Sequence, residues 1–115
     1  MQVKQLEDVA KFSPHAFMRY RLFDTGTMHF NTYCIEPGQQ NPLHRHPISD
    51  EVLFFVEGTG EVRSGQGKPA VRVQPHSVVW VGKGEPHEIV NTGRTRMLVV
   101  LAQAPLPVEH VPVKG

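Results

Sequence analysis

The stretch Gly38-Gln39-Gln40-Asn41-Pro42-Leu43-His44-Arg45-His46-Pro47-Ile48-Ser49-Asp50-Glu51-Val52-Leu53-Phe54-Phe55-Val56-Glu57-Gly58 sets an alternating pair of histidines just before an acid and an apolar run. On extended backbone alternate residues share a face, so His44 and His46 present both imidazoles to one side. Pro47, Ser49 and Asp50 reverse the chain. Glu51 then opens a strongly apolar strand to Val56, within reach of the same point. Further on, the turn Gly82-Lys83-Gly84-Glu85-Pro86 delivers His87 at the start of another strand. Three neutral imidazoles and one carboxylate carry a single negative charge. That donor set suits one divalent transition metal (iron, manganese, nickel, zinc, cobalt or copper) rather than calcium or magnesium, which favour oxygen ligands. The expected metal ligands are therefore His44, His46, Glu51 and His87. An octahedral ion would keep two adjacent positions for water, substrate or dioxygen.

The rest of the chain reads as short strands between turns. Ten glycines and ten prolines in 115 residues leave little room for long helices. Strands are expected over Phe17–Phe23, Met28–Glu36, His44–His46, Glu51–Val56, Glu61–Ser64, Val71–Val73, Val78–Val81, His87–Val90 and Thr95–Ala102, with Gly38 to Leu43 as a polar loop. Val3, Leu6, Val9 and Ala10 allow at most one short N-terminal helix, stopped at Ser13-Pro14. The proline-rich tail, 105–115, cannot form a central strand. The expected fold class is all-β, a sandwich or jelly-roll barrel.

Two spacings carry a specific resemblance. Gly38, five residues, His44-Arg45-His46, four residues, Glu51, six residues and Gly58 match the first motif of the cupins, at 38–58. Gly84, two residues, His87, three residues and Asn91 match the second, near 76–91. The second motif departs twice: His76 stands at its first glycine and Gly82 at its proline. Both are turn positions, so the departures touch turn geometry and spare the donors. The chain resembles a small single-domain cupin, residues 1–115. The resemblance implies a double-stranded β-helix, or jelly-roll barrel, with the metal inside, and often a homodimer.

Bulk composition narrows the function classes. Twelve basic against eleven acidic residues give a net charge of +1, too balanced for a nucleic-acid footprint or an anionic membrane surface. The longest apolar run, Met97 to Ala102, is far short of a membrane span. One cysteine, Cys34, excludes an internal disulfide. The N-terminus lacks the apolar core of a signal peptide, and a cytoplasmic location is expected. Arg19 with Arg21, and Arg94 with Arg96, read as solvated turn or edge charges, with contacts to a substrate anion as the alternative. His15, His29 and His110 read as surface residues, and His76 as a solvated turn residue. Asn91 reads as a structural turn cap, and Cys34 as a small packed hydrophobe. Phe30, Tyr33 and Trp80 read as core or interface. Strand parity turns Phe55 inward with Glu51 and Phe54 outward, against a sheet edge or a partner subunit.

The expected function is a small-molecule metalloenzyme, dioxygenase-like first. A metal-dependent isomerase or lyase on a sugar acid stands close behind, and a non-catalytic binding or sensing module is the other class. Glu51 is the one ligand able to leave the ion and shuttle a proton, so it is the expected catalytic residue.

Overall fold

The computed structural model describes residues 1–115. Helix α1 covers only Leu6–Val9. Ten strands follow: β1 Met18–Asp24, β2 His29–Ile35, β3 Gln40–Arg45, β4 Asp50–Glu57, β5 Gly60–Arg63, β6 Val71–Val73, β7 Val78–Val81, β8 His87–Val90, β9 Met97–Ala104 and β10 Val111–Pro112. They form two five-stranded sheets, ordered β1-β2-β9-β4-β7 and β10-β3-β8-β5-β6, with every pair antiparallel. β3 and β4 are consecutive yet lie in different sheets, as do β7 and β8, and β8 and β9. Such crossings wind the chain into a double-stranded β-helix, the jelly-roll architecture expected from the sequence. No helix is long and apolar enough to cross a membrane.

Parity builds the core. On β9 Met97, Val99 and Leu101 are buried while their neighbours are half-buried, and on β4 Leu53 and Phe55 are buried beside exposed Val52 and Phe54. Tyr33 and Ile35 of β2 join them, facing Val62 of β5, Val73 of β6 and Ile89 of β8 in the opposite sheet. Burial of each large side chain contributes about 1.5–3 kcal/mol. Cys34 has the opposite parity to Tyr33 and Ile35. It is fully buried on the other side of the sheet, where it packs as a small hydrophobe away from the barrel interior.

At one end the inward face turns polar. Asn31 of β2, His44 of β3, Glu51 of β4, His87 of β8 and Gln103 of β9 are all buried there. Among the strand boundaries that differ from expectation, two matter for this end. β3 begins at Gln40, inside the segment expected to be a loop, because Gln40 and Asn41 pair with Val90 and Ile89 of β8 despite their polar side chains. A register shift between Asn41 and His44 then re-aims the strand and sets His44 opposite His87. β9 continues past Ala102 to Ala104, because Gln103 and Ala104 pair with Glu51 and Asp50.

Turn chemistry explains the two motif glycine positions. Gly58 has φ +91°, and a Cβ there would lie 2.6 Å from Cα of Met97. His76 occupies the left-handed region with φ 76° although it is not glycine. That conformation costs roughly 1–2 kcal/mol. Its ring stacks on Phe54 at 5.9 Å and 8° between planes, which offsets part of the cost.

Candidate metal centre

The bulge in β3 and the turn before β8 bring His44 and His87 together, with ring centroids 4.3 Å apart and 54° between planes. His46 sits one residue past β3 and closes on both. The backbone N–H of Gly84 donates to the His46 carbonyl at 2.7 Å, tying the two histidine-bearing loops together. One ring nitrogen from each of His44, His46 and His87 lies within 4.8 Å of the other two.

Hydrogen bonding fixes which nitrogen that is. Nδ1 of His44 meets the Pro42 carbonyl at 2.6 Å, Nδ1 of His46 the Glu109 carbonyl at 2.7 Å, and Nδ1 of His87 the Glu85 carbonyl at 3.0 Å. A carbonyl only accepts, so each Nδ1 carries the proton and donates. In the neutral rings each Nε2 then offers a lone pair. Nε2 of His87 lies 3.0 Å from Oε1 of Glu51, and Nε2 of His46 lies 3.6 Å from its Oε2. His46 Nε2, His87 Nε2 and Glu51 Oε1 are buried without a hydrogen-bond partner. Lone pairs packed around a carboxylate repel one another unless a cation sits among them. The donor set of three imidazoles and one carboxylate fits a divalent transition ion by this test.

Electrostatics distinguish His44 from His46. Burial, then the neighbouring His87, pushes His44 down to about 4, so it is neutral at neutral pH. Burial lowers His46, but Glu51 and the Glu109 carbonyl outweigh it and raise this ring. Burial also opposes ionisation of Glu51, yet His46, His87 and Gln103 hold its carboxyl well below the usual range.

Beyond the expected four residues, the structure adds partners that the sequence did not single out. Nε2 of Gln103 donates to Oε2 of Glu51 at 2.6 Å, Nδ2 of Asn31 donates to Oε1 of Gln103 at 3.2 Å, and Nε of Arg21 donates to Oδ1 of Asn31 at 2.8 Å. This chain of donors crosses four neighbouring strands, β1, β2, β9 and β4. Its sequence signal is the parity of β9: Gln103 continues the buried series Met97, Val99 and Leu101, one residue beyond the strand end expected at Ala102.

Arg19, Arg21 and His110 are exposed, as expected of surface residues, and His29 is half-buried, but their surface borders the site. His110 stacks on His44, with centroids 4.4 Å apart and 15° between planes. Arg19, Arg21, His29 and His110 line a cavity of about 220 Å³ with His46 and Gln103. His29 and His110 are thus at the mouth of the site, and the Arg19–Arg21 pair faces it. Folding brings them there from β1, β2 and the tail, which sequence distance could not reveal. His15 stays exposed. Larger hollows of about 580 and 460 Å³, beside Met1 and Lys11, contain none of His44, His46, Glu51 and His87, although Arg21 also borders the first. Asn91 is the expected turn cap: Nδ2 donates to the carbonyls of Ile35 and Thr95, and Oδ1 accepts from Gly93 N–H.

Known proteins place the chain. Over 72 residues it is 33% identical to the tetracenomycin polyketide synthase protein TcmJ of Streptomyces glaucescens, covering 63% of this chain and 47% of that protein. The match thus spans about half the length of that relative. A Klebsiella pneumoniae protein with a double-stranded β-helix domain superposes with a TM-score of 0.92 at 17% identity, over 100% of this chain and 99% of the other. The TT1209 protein of Thermus thermophilus superposes with a TM-score of 0.84 at 28% identity, over 93% of this chain and 100% of the other. Residues 31–102 match the cupin domain family, so more than half of the sequence is covered and the chain belongs to that family.

Proposed function

We propose that this chain is a small-molecule metalloenzyme whose divalent transition metal is held by His44, His46, Glu51 and His87. One observation carries the reading. All three imidazoles donate through Nδ1 to backbone carbonyls, while Nε2 of His46 and of His87 and Oε1 of Glu51 are buried with no hydrogen-bond partner. The ion, when bound, supplies a Lewis-acid centre with open positions and, for a redox-active metal, a site for dioxygen. The protein's own groups do the rest. Pro42, Glu109 and Glu85 carbonyls hold the rings in one tautomer, and Gln103 steadies one Glu51 oxygen. Glu51 is the one carboxylate of the cluster, so on leaving the ion it would be the group able to accept and return a substrate proton. The adjoining cavity, about 220 Å³, is smaller than a typical drug-sized site and suits a small substrate.

Dioxygenase-like chemistry is the first reading, on a substrate that chelates through two oxygens, such as an enediol, a β-diketone or a hydroxy acid. The test is elemental analysis of the purified protein, followed by an oxygen-electrode screen of such compounds. Near-unit metal content in the wild type and its loss in His44→Ala and His87→Ala are expected. Unchanged metal in those variants sinks the ligand assignment. Turnover without oxygen uptake would assign the site to isomerase or lyase chemistry, and metal binding without turnover to a binding module.

A further inference from the structure

The cavity over the Glu51 cluster has a charge pattern that the metal reading does not use. Arg19 and Arg21 are two apart on β1 and so point to one face of the strand. Both reach the cavity, and none of its lining residues is acidic. No carboxylate forms a salt bridge with either guanidinium; the nearby Asp24 is turned to His29 instead, at 3.5 Å. Arg21 is held in place from behind. Its Nε donates to Asn31 at 2.8 Å, and Nη1 lies 3.2 Å from Nε2 of His29. Of the five N–H donors of a guanidinium, most therefore stay available to a ligand. The floor of the same cavity is His46 and Gln103, the two groups that touch Oε2 of Glu51. A ligand of a few carbon atoms could therefore span from the guanidiniums to the donor cluster.

Charge decides what that ligand is. Three neutral imidazoles, the Glu51 carboxylate and a divalent ion leave one net positive charge, and the two guanidiniums add two more. A concave, uncompensated positive site concentrates anions, and the planar fork of arginine matches a carboxylate with two parallel hydrogen bonds. We propose that the cavity is a carboxylate subsite, in which Arg19 and Arg21 bind the acid group of a small organic acid while its other oxygens face the His44–His46–Glu51–His87 cluster. The subsite rests on the metal reading for its second contact, and it names the substrate class: a short acid with a second oxygen function, dianionic for preference. A neutral diketone would leave both guanidiniums without a counter-charge.

Malonate, acetate and neutral acetylacetone serve as probes, titrated calorimetrically into zinc-loaded and chelator-treated protein. Wild type is compared with Arg19→Gln, Arg21→Gln and the double variant. Arg19 and Arg21 are exposed on an outer strand, but Arg21 also donates to buried Asn31. Arg19→Gln should therefore melt close to wild type, and the zinc content and melting curve of every Arg21 variant are measured beside its affinities. Arg19→Lys with Arg21→Lys is the second variant, keeping charge without the fork. Malonate should bind zinc-loaded wild type more tightly than acetate. Its Kd should rise about tenfold or more in the double Gln variant and less in the double Lys variant. Acetylacetone should bind wild type and variants alike. Malonate affinities for wild type and the double Gln variant that agree within about twofold overturn the subsite. If wild type holds no zinc, the metal reading fails alone. The chelator-treated protein then decides the subsite, with about a threefold or larger loss of malonate affinity expected in the double Gln variant and equality refuting it.

Discussion

Glu51 meets two histidines and a glutamine at once, and its buried oxygens divide the work. One faces His87, and the other takes the hydrogen bond from Gln103. Gln103→Leu keeps the side-chain volume and removes that donor. Metal affinity should fall about 10–100-fold, as for other lost supports of a ligand, read by competition with a chromophoric chelator. An unchanged affinity would mean that Glu51 is positioned without Gln103. Cys34 gives a separate residue-scale test. Burial pushes its thiol up to about 11 from an ordinary 9.0. The unfolded thiol ionises above 9 while the folded one stays protonated, so its contribution to stability is full below 9 and is lost as pH rises toward 11. Native protein at pH 8 should resist a thiol reagent and react only on unfolding; rapid labelling of native protein would contradict its burial. His44, His46, Glu51 and His87 were legible in the sequence because alternation on a strand and the two spacings both mark them. Gln103, Arg21 and His110 were not, because their link to the cluster exists only after the strands pair and the tail folds back.

The elements that position the site are its two edges as much as its strands. The proline-rich tail was legible as a non-central segment, and β10 indeed pairs only at the border of its sheet. Its role at the site was not legible, since a backbone carbonyl has no sequence signature. Glu109 supplies the carbonyl that fixes the His46 tautomer, and Ser49 Oγ anchors the tail by donating to the Pro105 carbonyl at 2.7 Å. Truncation after Ala104 should therefore leave a folded barrel with metal affinity lowered about 10–100-fold. Retention of wild-type affinity, measured by the same competition assay, would show that His46 is oriented without the tail. The turn between β4 and β5 makes an opposite kind of demand. Gly58→Ala would force a Cβ to within 2.6 Å of the Met97 backbone in a left-handed turn. A loss of about 2 kcal/mol or more is expected from strain and overpacking together, read from denaturant midpoints. β3 shows why element boundaries escaped the sequence: polar Gln40 and Asn41 read as loop, and only the ladder to β8 makes them strand.

At the scale of the whole molecule, outward parity leaves one apolar surface. Val52 and Phe54 of β4 and Val78 and Trp80 of β7 are 44%, 37%, 65% and 73% exposed. They form two cross-strand pairs, Val52 with Trp80 and Phe54 with Val78, on one face of the sheet. β7 is the end strand of that sheet, so its outer backbone edge is also unpaired. An exposed apolar patch beside an open edge marks an interaction surface. The homodimer expected from the sequence would use this patch, since a two-fold pair needs a single patch shared by both subunits. The patch lies on the outward face of β4, whereas Glu51 points inward, so assembly and metal binding should separate. Trp80→Glu with Val78→Glu is expected to turn a dimer into a monomer by light scattering, with metal content unchanged. Chelation is expected to do the reverse, leaving the assembly state alone while lowering Tm, since an ion bound only to the native state stabilises it by about 2.7 kcal/mol at roughly 100 times its Kd. A wild-type protein that stays monomeric at high concentration would remove the dimer and leave the metal centre standing. A monomeric variant that also lost its ion would show that the outer patch and the inner cluster are one cooperative unit, against the parity argument that separates them.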